Sequence, residues 1–492
     1  MATQTKVLKV GPGEELRLQT KQDQRVIQIA IQPSDQMREK ALAKRRKRGK
    51  VQEEEEGSED EDCRKCDAEM FGAELFPGAE KWHDIQPGTN TAVFSWSGCN
   101  VKVQGEPEAE YVSKNEPMEG YANLAAILER RRMRCDDLGV SALGTGNNGD
   151  LPPRVLVTGS GSSGKSSLCE LLVNYALRAD RKPIFVELDP RGACERSHKM
   201  MSFPPGCIGA VVASDKPHDS GNNAISSAIM HYTGCFEWNE MKEEVFQHLV
   251  KLLGKEVDLR SKYRGKAKRK KSGNDKGVDE HLQVAHGGVI VNAPHQPSAN
   301  LLVKIVESFN IDFVIVLDNE ALVAQLSQKI GKTNTEIVPL PKSGGVVQVG
   351  TSQLRFLREN TLKNYFHGAT EDLRPITLKL KVNDNINLFK LSYHKLDVSL
   401  LPSTSLVMHQ DIEGSCHASP YTGSLQDLAH TVLAVMKTAT STMIPYATVA
   451  GLVYVKQVDE NLGRITLLSP SHAPLISPNL LVGNPRDFKF AL

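Results

Sequence analysis

The sequence has little that would tie it to a membrane, an oxidising compartment or a polyanion. No apolar run approaches the roughly 18 residues that a helical membrane span needs, so no membrane partner is expected. The opening MATQTKVLKVGPGEE lacks the apolar core of a signal peptide, so a secreted protein is not expected either. Nine cysteines in 492 residues, with no small-domain framework, fit a reducing compartment. Net charge is also lacking. The 60 Lys and Arg against 59 Asp and Glu leave +1, so attraction for nucleic acid has to come from a local patch. What is present is core material: 40% hydrophobic and 24% charged residues exclude a collagen-like or globally disordered chain. The length suggests about three domains.

The texture changes along the chain. Residues 1 to about 110 read as a small antiparallel β domain. RVIQIAIQ alternates Ile27, Ile29 and Ile31 with Gln28, Ala30 and Gln32, the pattern of a half-buried strand. TAVFSWSG and NVKVQG behave alike, and Gly and Pro fill the gaps. Two charged inserts interrupt the chain. The first, about 35–67, is a basic block followed by an acidic one, which cannot bury enough surface to offset ordering. Its Lys44-Arg45-Arg46-Lys47-Arg48 run suits either a nuclear import signal or a solvated loop. Its Cys63 and Cys66 have no second ligand pair at zinc-site spacing. The second insert, about 260–279, is strongly basic and could steer RNA phosphates or be an unconstrained loop. From about 151 to 380, runs such as RVLVTG, KPIFVELD, GGVIVNAP, IDFVIVLD and TEIVPLP alternate with helical patterns. This predicts an α/β domain with a parallel sheet covered on both faces. Beyond about 381, shorter mixed patterns predict a smaller α+β domain.

The strongest chemical signal is Gly159-Ser160-Gly161-Ser162-Ser163-Gly164-Lys165-Ser166, which matches GxxxxGK[ST] without a gap. A buried strand precedes it. The helix after it puts Leu168, Leu171, Leu172 and Tyr175 on one face. Such a loop aims backbone N–H groups and the positive helix end at a triphosphate. Lys165 would neutralise the β/γ oxygens and the Ser166 hydroxyl would ligate Mg²⁺. Phosphoryl transfer also needs a carboxylate. Asp189 is favoured because it ends the strand after the P-loop helix, where α/β sheets place ligands. Glu187 and Asp318 are alternatives. Arg355 and Arg358 sit i,i+3 in a predicted helix, TSQLRFLRENTLKNYFHG. They could close over the phosphates as a lid or pair with surface acids.

Several blocks go beyond a general P-loop: AEMFGAEL (68–75), AVFSWSGC (92–99), AEYVSKNEPM (109–118), RKPIFVELDP (181–190), PGCIGA (205–210), LPKSGGVV (340–347), LKNYFHG (362–368) and VAGLVYV (449–455). With these the chain resembles the eukaryotic Clp/Grc polynucleotide 5′-hydroxyl kinase family over nearly its full length, most closely the branch found in the pre-mRNA 3′-end cleavage factor. The resemblance implies an N-terminal β-sandwich (1–120), a central P-loop kinase-like domain (121–380) and a C-terminal α+β domain (381–492). It implies ATP and Mg²⁺ as cofactors, with Gly159 through Ser167 around the phosphates and Ser166 and Asp189 on the metal. The adenine would lie between the first two domains against Glu15, with Glu14 as an off-by-one rival. Arg355 and Arg358 match the family's lid arginines. A Pcf-type scaffold protein and other cleavage-factor subunits are the implied partners, RNA is a candidate further partner, and the nucleus is the implied location.

Departures from the family pattern bear on activity. Asp189-Pro190-Arg191-Gly192 stands where active members carry an Asp-x-Gly-Gln type segment. No Trp follows the third strand to stack an RNA base; Val291-Asn292-Ala293-Pro294-His295-Gln296 is found instead. Base–aromatic stacking is worth about 1–3 kcal/mol, and His295 could supply part of it. The expectation is therefore an ATP-holding assembly subunit, with an active RNA 5′-hydroxyl kinase as the alternative. A generic ATPase or GTPase switch is disfavoured, since no guanine-reading NKxD is apparent.

Overall fold

The computed structural model describes residues 5–22, 26–34, 67–77, 81–114, 116–138, 151–192, 203–214, 228–262, 284, 286–331, 334–368, 371, 373–394, 415–484 and 489–490. The Lys44–Arg48 run and the Cys63/Cys66 pair lie outside them. So does the basic insert, except its first residues, which end the helix Glu243–Lys262.

Two antiparallel sheets form the N-terminal sandwich. One orders the strands Thr5–Val10, Cys99–Gln104, Ile27–Pro33 and His83–Ile85. The other orders Ala73–Leu75, Ala68–Met70, Asn90–Ser95, Glu14–Gln19 and Ala109–Lys114. The period-2 alternation does what it must. Ile27, Ile29 and Ile31 meet Leu16, Leu18, Val93, Val101 and Val103 between the sheets. The intervening Glu15 and Arg17 are thereby turned away from that core.

The central sheet has seven strands, ordered Ile229–Tyr232, Cys207–Val212, Ile184–Glu187, Val289–Asn292, Arg154–Gly159, Phe313–Leu317 and Glu336–Leu340. The last five run parallel. The expected parallel sheet carries two further strands at one edge, Cys207–Val212 and Ile229–Tyr232, which run antiparallel. A parallel return needs a crossover of a dozen or more residues, usually helical. Here the chain turns back, and Gly206 N donates to Pro190 O at 2.7 Å across the base of the link. Successive strand residues face opposite ways. Val155, Val157, Phe185 and Ile315 pack under the helices Met118–Leu138, Lys165–Arg178 and Thr351–His367. Leu156, Val186, Val291 and Val316 pack under Glu243–Lys262, Ala299–Phe309 and Glu320–Ile330.

The C-terminal sheet orders Ile376–Lys381, Arg464–Ser469, Val449–Asp459, Val432–Met436, Asn479–Val482, Asn387–His394 and Ser415–Pro420. An α+β domain was expected. The described residues from 373 onward carry these strands and two short 3₁₀ turns, with no α-helix. The sheet borrows its helical cover. Val449, Leu452 and Tyr454 join the cluster that contains Leu362, Tyr365 and Phe366 of the central helix Thr351–His367. Among the described residues no helix is long and apolar enough to cross a membrane.

Three of the unusual sequence blocks are domain joints. In AEMFGAEL, Phe71 O accepts from Asn174 Nδ2 at 2.9 Å, and Glu69 receives Tyr175 and Arg178 at 2.5 and 2.9 Å. Gly72 adopts φ +80°, and a Cβ there would lie 2.9 Å from Leu171 O of the P-loop helix. LKNYFHG and VAGLVYV meet where Leu452 N donates to Tyr365 Oη at 2.8 Å. Replacing Gly72→Ala combines left-handed backbone strain with a backbone clash. It is expected to destabilise the protein by about 1–3 kcal/mol, read as a lower urea midpoint; an unchanged midpoint would show that the joint tolerates a side chain.

Candidate nucleotide site

A cavity of about 710 Å³ lies at the carboxyl ends of the central strands. The P-loop from Gly161 to Leu168 forms its floor, Glu15 and Arg17 of the sandwich form one wall, and Ser343 to Leu357 form another. The loop's shape follows from its sequence. Gly159 takes φ +150°, and a Cβ there would fall 2.4 Å from Leu317 O, so the neighbouring strand leaves room only for glycine. Ser162 sits at φ +52°, and the helix starts at Lys165 after a left-handed Gly164.

The P-loop side chains are placed for an anion. Lys165 is buried in the floor, and its Nζ donates to Ser160 O at 3.2 Å. Burial lowers its pKa from the ordinary lysine value, with the Asp189 charge opposing the shift. Ser163 Oγ is buried without a partner among the described residues. That orphan hydroxyl fits a phosphate oxygen better than an empty loop. Gly159 and Ser160 lie beneath the cavity and do not line it; Gly161 through Ser167 do.

Beside the loop, Asn292 Nδ2 donates to Ser166 Oγ at 3.1 Å and to both Glu187 oxygens at 2.9 Å. Asn292 Oδ1 is buried with no partner among the described residues. Burial, with help from the Asp189 charge, pushes the Glu187 pKa up to about 8. A hydroxyl, an amide oxygen and carboxylates form an oxygen donor set that suits Mg²⁺, which typically takes one or two carboxylates plus phosphates. Asp189 also lines the cavity, but its carboxylate is held by Arg191, Nη2 to Oδ2 at 2.7 Å and Nε to Oδ1 at 3.0 Å. Asp318 stands outside the cavity lining and pairs with Lys342 at 2.9 Å.

Geometry separates Glu15 from Glu14. Glu15 is buried, lines the cavity and accepts from Arg17 Nε at 2.6 Å. Glu14 turns to the other side and accepts from Gly11 N at 2.9 Å, closing a turn. The two lid candidates part company. The helix Thr351–His367 lines the cavity through Thr351, Leu354 and Leu357. Arg355 has a side chain 72% exposed and pairs with Glu359 at 3.1 Å. Arg358 lies 4.0 Å over the Phe236 ring, and its Nε donates to Arg191 O at 3.2 Å. Neither arginine lines the cavity in this arrangement. His295 does, with Nδ1 buried and without a partner among the described residues, and burial together with Arg191 pushes its pKa down to about 4.

Sequence reasoning missed Asn292, Arg17 and Trp238. Asn292 had a signal, a polar residue closing the apolar run VIVN. Arg17 shares the outward face of its strand with Glu15. Trp238 Nε1 donates to His295 O at 3.0 Å, a long-range contact with no local signature.

The site belongs to a known pattern. The family described as mRNA cleavage and polyadenylation factor CLP1 P-loop matches residues 159–368. An N-terminal beta-sandwich domain of polyadenylation factor matches 62–135, and pre-mRNA cleavage complex II protein Clp1 matches 373–486. A protein CLP1 homolog of Nematostella vectensis is 30% identical over 428 residues, 86% of this chain and 90% of that protein. A polyribonucleotide 5′-hydroxyl-kinase Clp1 of Xenopus laevis is 29% identical over 84% of this chain and 86% of its own length. Two solved structures of Clp1p with Pcf11p superpose with TM-scores of 0.71 and 0.70, covering 98% of this chain and 99% and 98% of theirs. At 18% identity that likeness speaks for the fold. With all three sections matched and a relative aligned over most of both lengths, the chain belongs to the Clp1 family of mRNA cleavage and polyadenylation factors.

Proposed function

We propose that the chain is an ATP-binding subunit of the nuclear pre-mRNA cleavage and polyadenylation machinery, required for endonucleolytic cleavage in mRNA 3′-end formation, and that it keeps its nucleotide mainly as a structural ligand. The observation that carries this reading is the make-up of the cavity wall. Glu15 and Arg17 come from the sandwich, while the P-loop and residues 343–357 come from the central domain. A nucleotide spanning both stabilises their joined state by mass action. The adenine would rest against Glu15, the phosphates against Gly161 through Ser167 with Lys165 at the terminal oxygens, and Gly159 and Ser160 would shape the loop from below. Of the two residues expected on Mg²⁺, Ser166 remains available, with Glu187 and Asn292 adjacent, whereas Asp189 is engaged by Arg191. The domains would divide at about 120 and 380. The central domain would dock a Pcf-type scaffold protein, a partner suggested by the Pcf11p that accompanies Clp1p in the solved structures.

The second reading is an RNA 5′-hydroxyl kinase, in which Asp189, Lys165, Arg355 and Arg358 take part in transfer. Relatives carrying that name favour it, as does Asp189 standing in the cavity beside Lys165. The bidentate hold of Arg191 on Asp189 weighs against it, because both carboxylate oxygens already face a guanidinium instead of an incoming hydroxyl.

Two outcomes are expected. Given labelled ATP and a 5′-hydroxyl oligoribonucleotide, the intact protein should retain ATP and transfer no label. Lys165→Ala should weaken ATP binding at least about tenfold, the scale of a lost charge-assisted hydrogen bond. Label transfer that vanishes in Lys165→Ala would establish the kinase reading instead. The second outcome concerns pH. A carboxyl whose pKa rises on folding binds more protons in the native state, so stability falls as pH climbs from 4.5 through about 8. In the nucleotide-free protein, Glu187→Gln should flatten the slope of stability against pH over that range, measured by urea unfolding.

A further inference from the structure

Arg191 has a role that the phosphate-binding loop does not explain. Every oxygen of the Asp189 carboxylate is engaged by it. Nη2 donates to Oδ2 at 2.7 Å, Nε to Oδ1 and Oδ2 at 3.0 and 3.1 Å, and the backbone N of Arg191 to Oδ1 at 3.2 Å. The pair is shielded, with side chains 18% and 12% exposed, and both residues line the nucleotide cavity.

The backbone that carries the guanidinium is pinned on both sides. Gly206 N donates to Pro190 O at 2.7 Å, and Arg358 Nε donates to Arg191 O at 3.2 Å while its guanidinium lies 4.0 Å over Phe236. Arg358 thus holds the turn from outside and does not line the cavity. A planar fork matches a carboxylate better than a point charge does, and separating a shielded ion pair is costly. A divalent cation arriving at Asp189 would have to displace a guanidinium already in place.

We infer that Arg191 is a resident counter-charge that takes the place of a divalent cation at Asp189, so that the chain holds ATP with little dependence on Mg²⁺. The inference rests on the reading that adenine nucleotide occupies this cavity. Asp189 is then closed to metal, and the positive charge near the phosphates is supplied by Lys165 and Arg191. Ser166 keeps its bond to Asn292.

The test uses the full-length protein in two arms. In the first, nucleotide-free protein is titrated with Mn²⁺ and the bound ion is read by electron paramagnetic resonance. Wild type should bind no Mn²⁺ here, Arg191→Gln should gain one site, and Arg191→Gln with Asp189→Asn should lose it again. In the second, calorimetry measures ATP affinity in EDTA and in Mg²⁺. The wild-type ratio should stay within about threefold, whereas Arg191→Gln should show at least about tenfold tighter binding with Mg²⁺, the scale of one charge-assisted contact. A wild-type ratio as large as the variant's would overturn the inference. So would a variant that melts like wild type yet gains no Mn²⁺ site. If Arg191→Gln does not fold, Arg191→Lys keeps the charge without the fork and should show a smaller gain in Mn²⁺ affinity; no gain would count against the inference. Absence of ATP binding by wild type in either buffer would sink the nucleotide reading, while the Mn²⁺ arm would still decide the role of Arg191.

Discussion

Glu69 is almost completely buried between the sandwich and the helix Lys165–Arg178, where it accepts from Tyr175 Oη and Arg178 Nη1 of that helix, with the Trp96 side chain as a further partner. Burial raises its pKa while these bonds pull the other way. A carboxylate in such a place is tolerable only if it is hydrogen-bonded. Asn174 extends the contact to Phe71 O, so one flank of the helix is fixed to the first domain. The opposite flank packs on the central sheet through Leu168, Leu172 and Val173. The helix start presents the phosphate loop, so its register against Glu69 also sets the distance from that loop to Glu15 and Arg17. The two walls of the cavity depend on this one buried acid.

The charges inside the cavity share a tendency. Burial lowers the Lys165 and His295 pKa values and raises that of Glu187. Each shift favours the neutral form, as desolvation requires. Arg191 departs from this tendency: burial would lower its pKa, but the Asp189 carboxylate 2.7 Å away raises it. A polyanion in the cavity would oppose that tendency at Lys165, because negative charge beside a buried lysine favours its charged form.

How much of this was legible in the residues depends on range. The P-loop could be read because strand, glycines and helix are contiguous, and its shape needs only local backbone freedom. Ile27, Ile29 and Ile31 declared a sandwich face by alternation alone. The helix Thr351–His367 was readable for the same reason. The direction of Cys207–Val212 was not, because a buried strand has the same composition whichever way it runs. The C-terminal sheet looked as though it needed helices of its own, since nothing local says that Tyr365 and Phe366 of another domain will cover it. Arg355 and Arg358 share a helix at i,i+3, but spacing could not say that Phe236 would draw one while Glu359 kept the other in solvent. The Asp189–Arg191 contact was close in sequence, yet whether the arginine would turn inward depended on the turn being tied to Gly206 and Arg358.

The helix Thr351–His367 is tied at both ends. Near its start Gln353 Nε2 donates to Gly88 O of the sandwich at 2.6 Å, and near its end Tyr365 accepts from the C-terminal sheet. A segment anchored to two neighbouring domains has little freedom to swing by itself. Exchange of whatever the cavity holds would then be coupled to movement of the flanking domains. The ligand's residence time would then depend on the tertiary structure as well as on the binding loop.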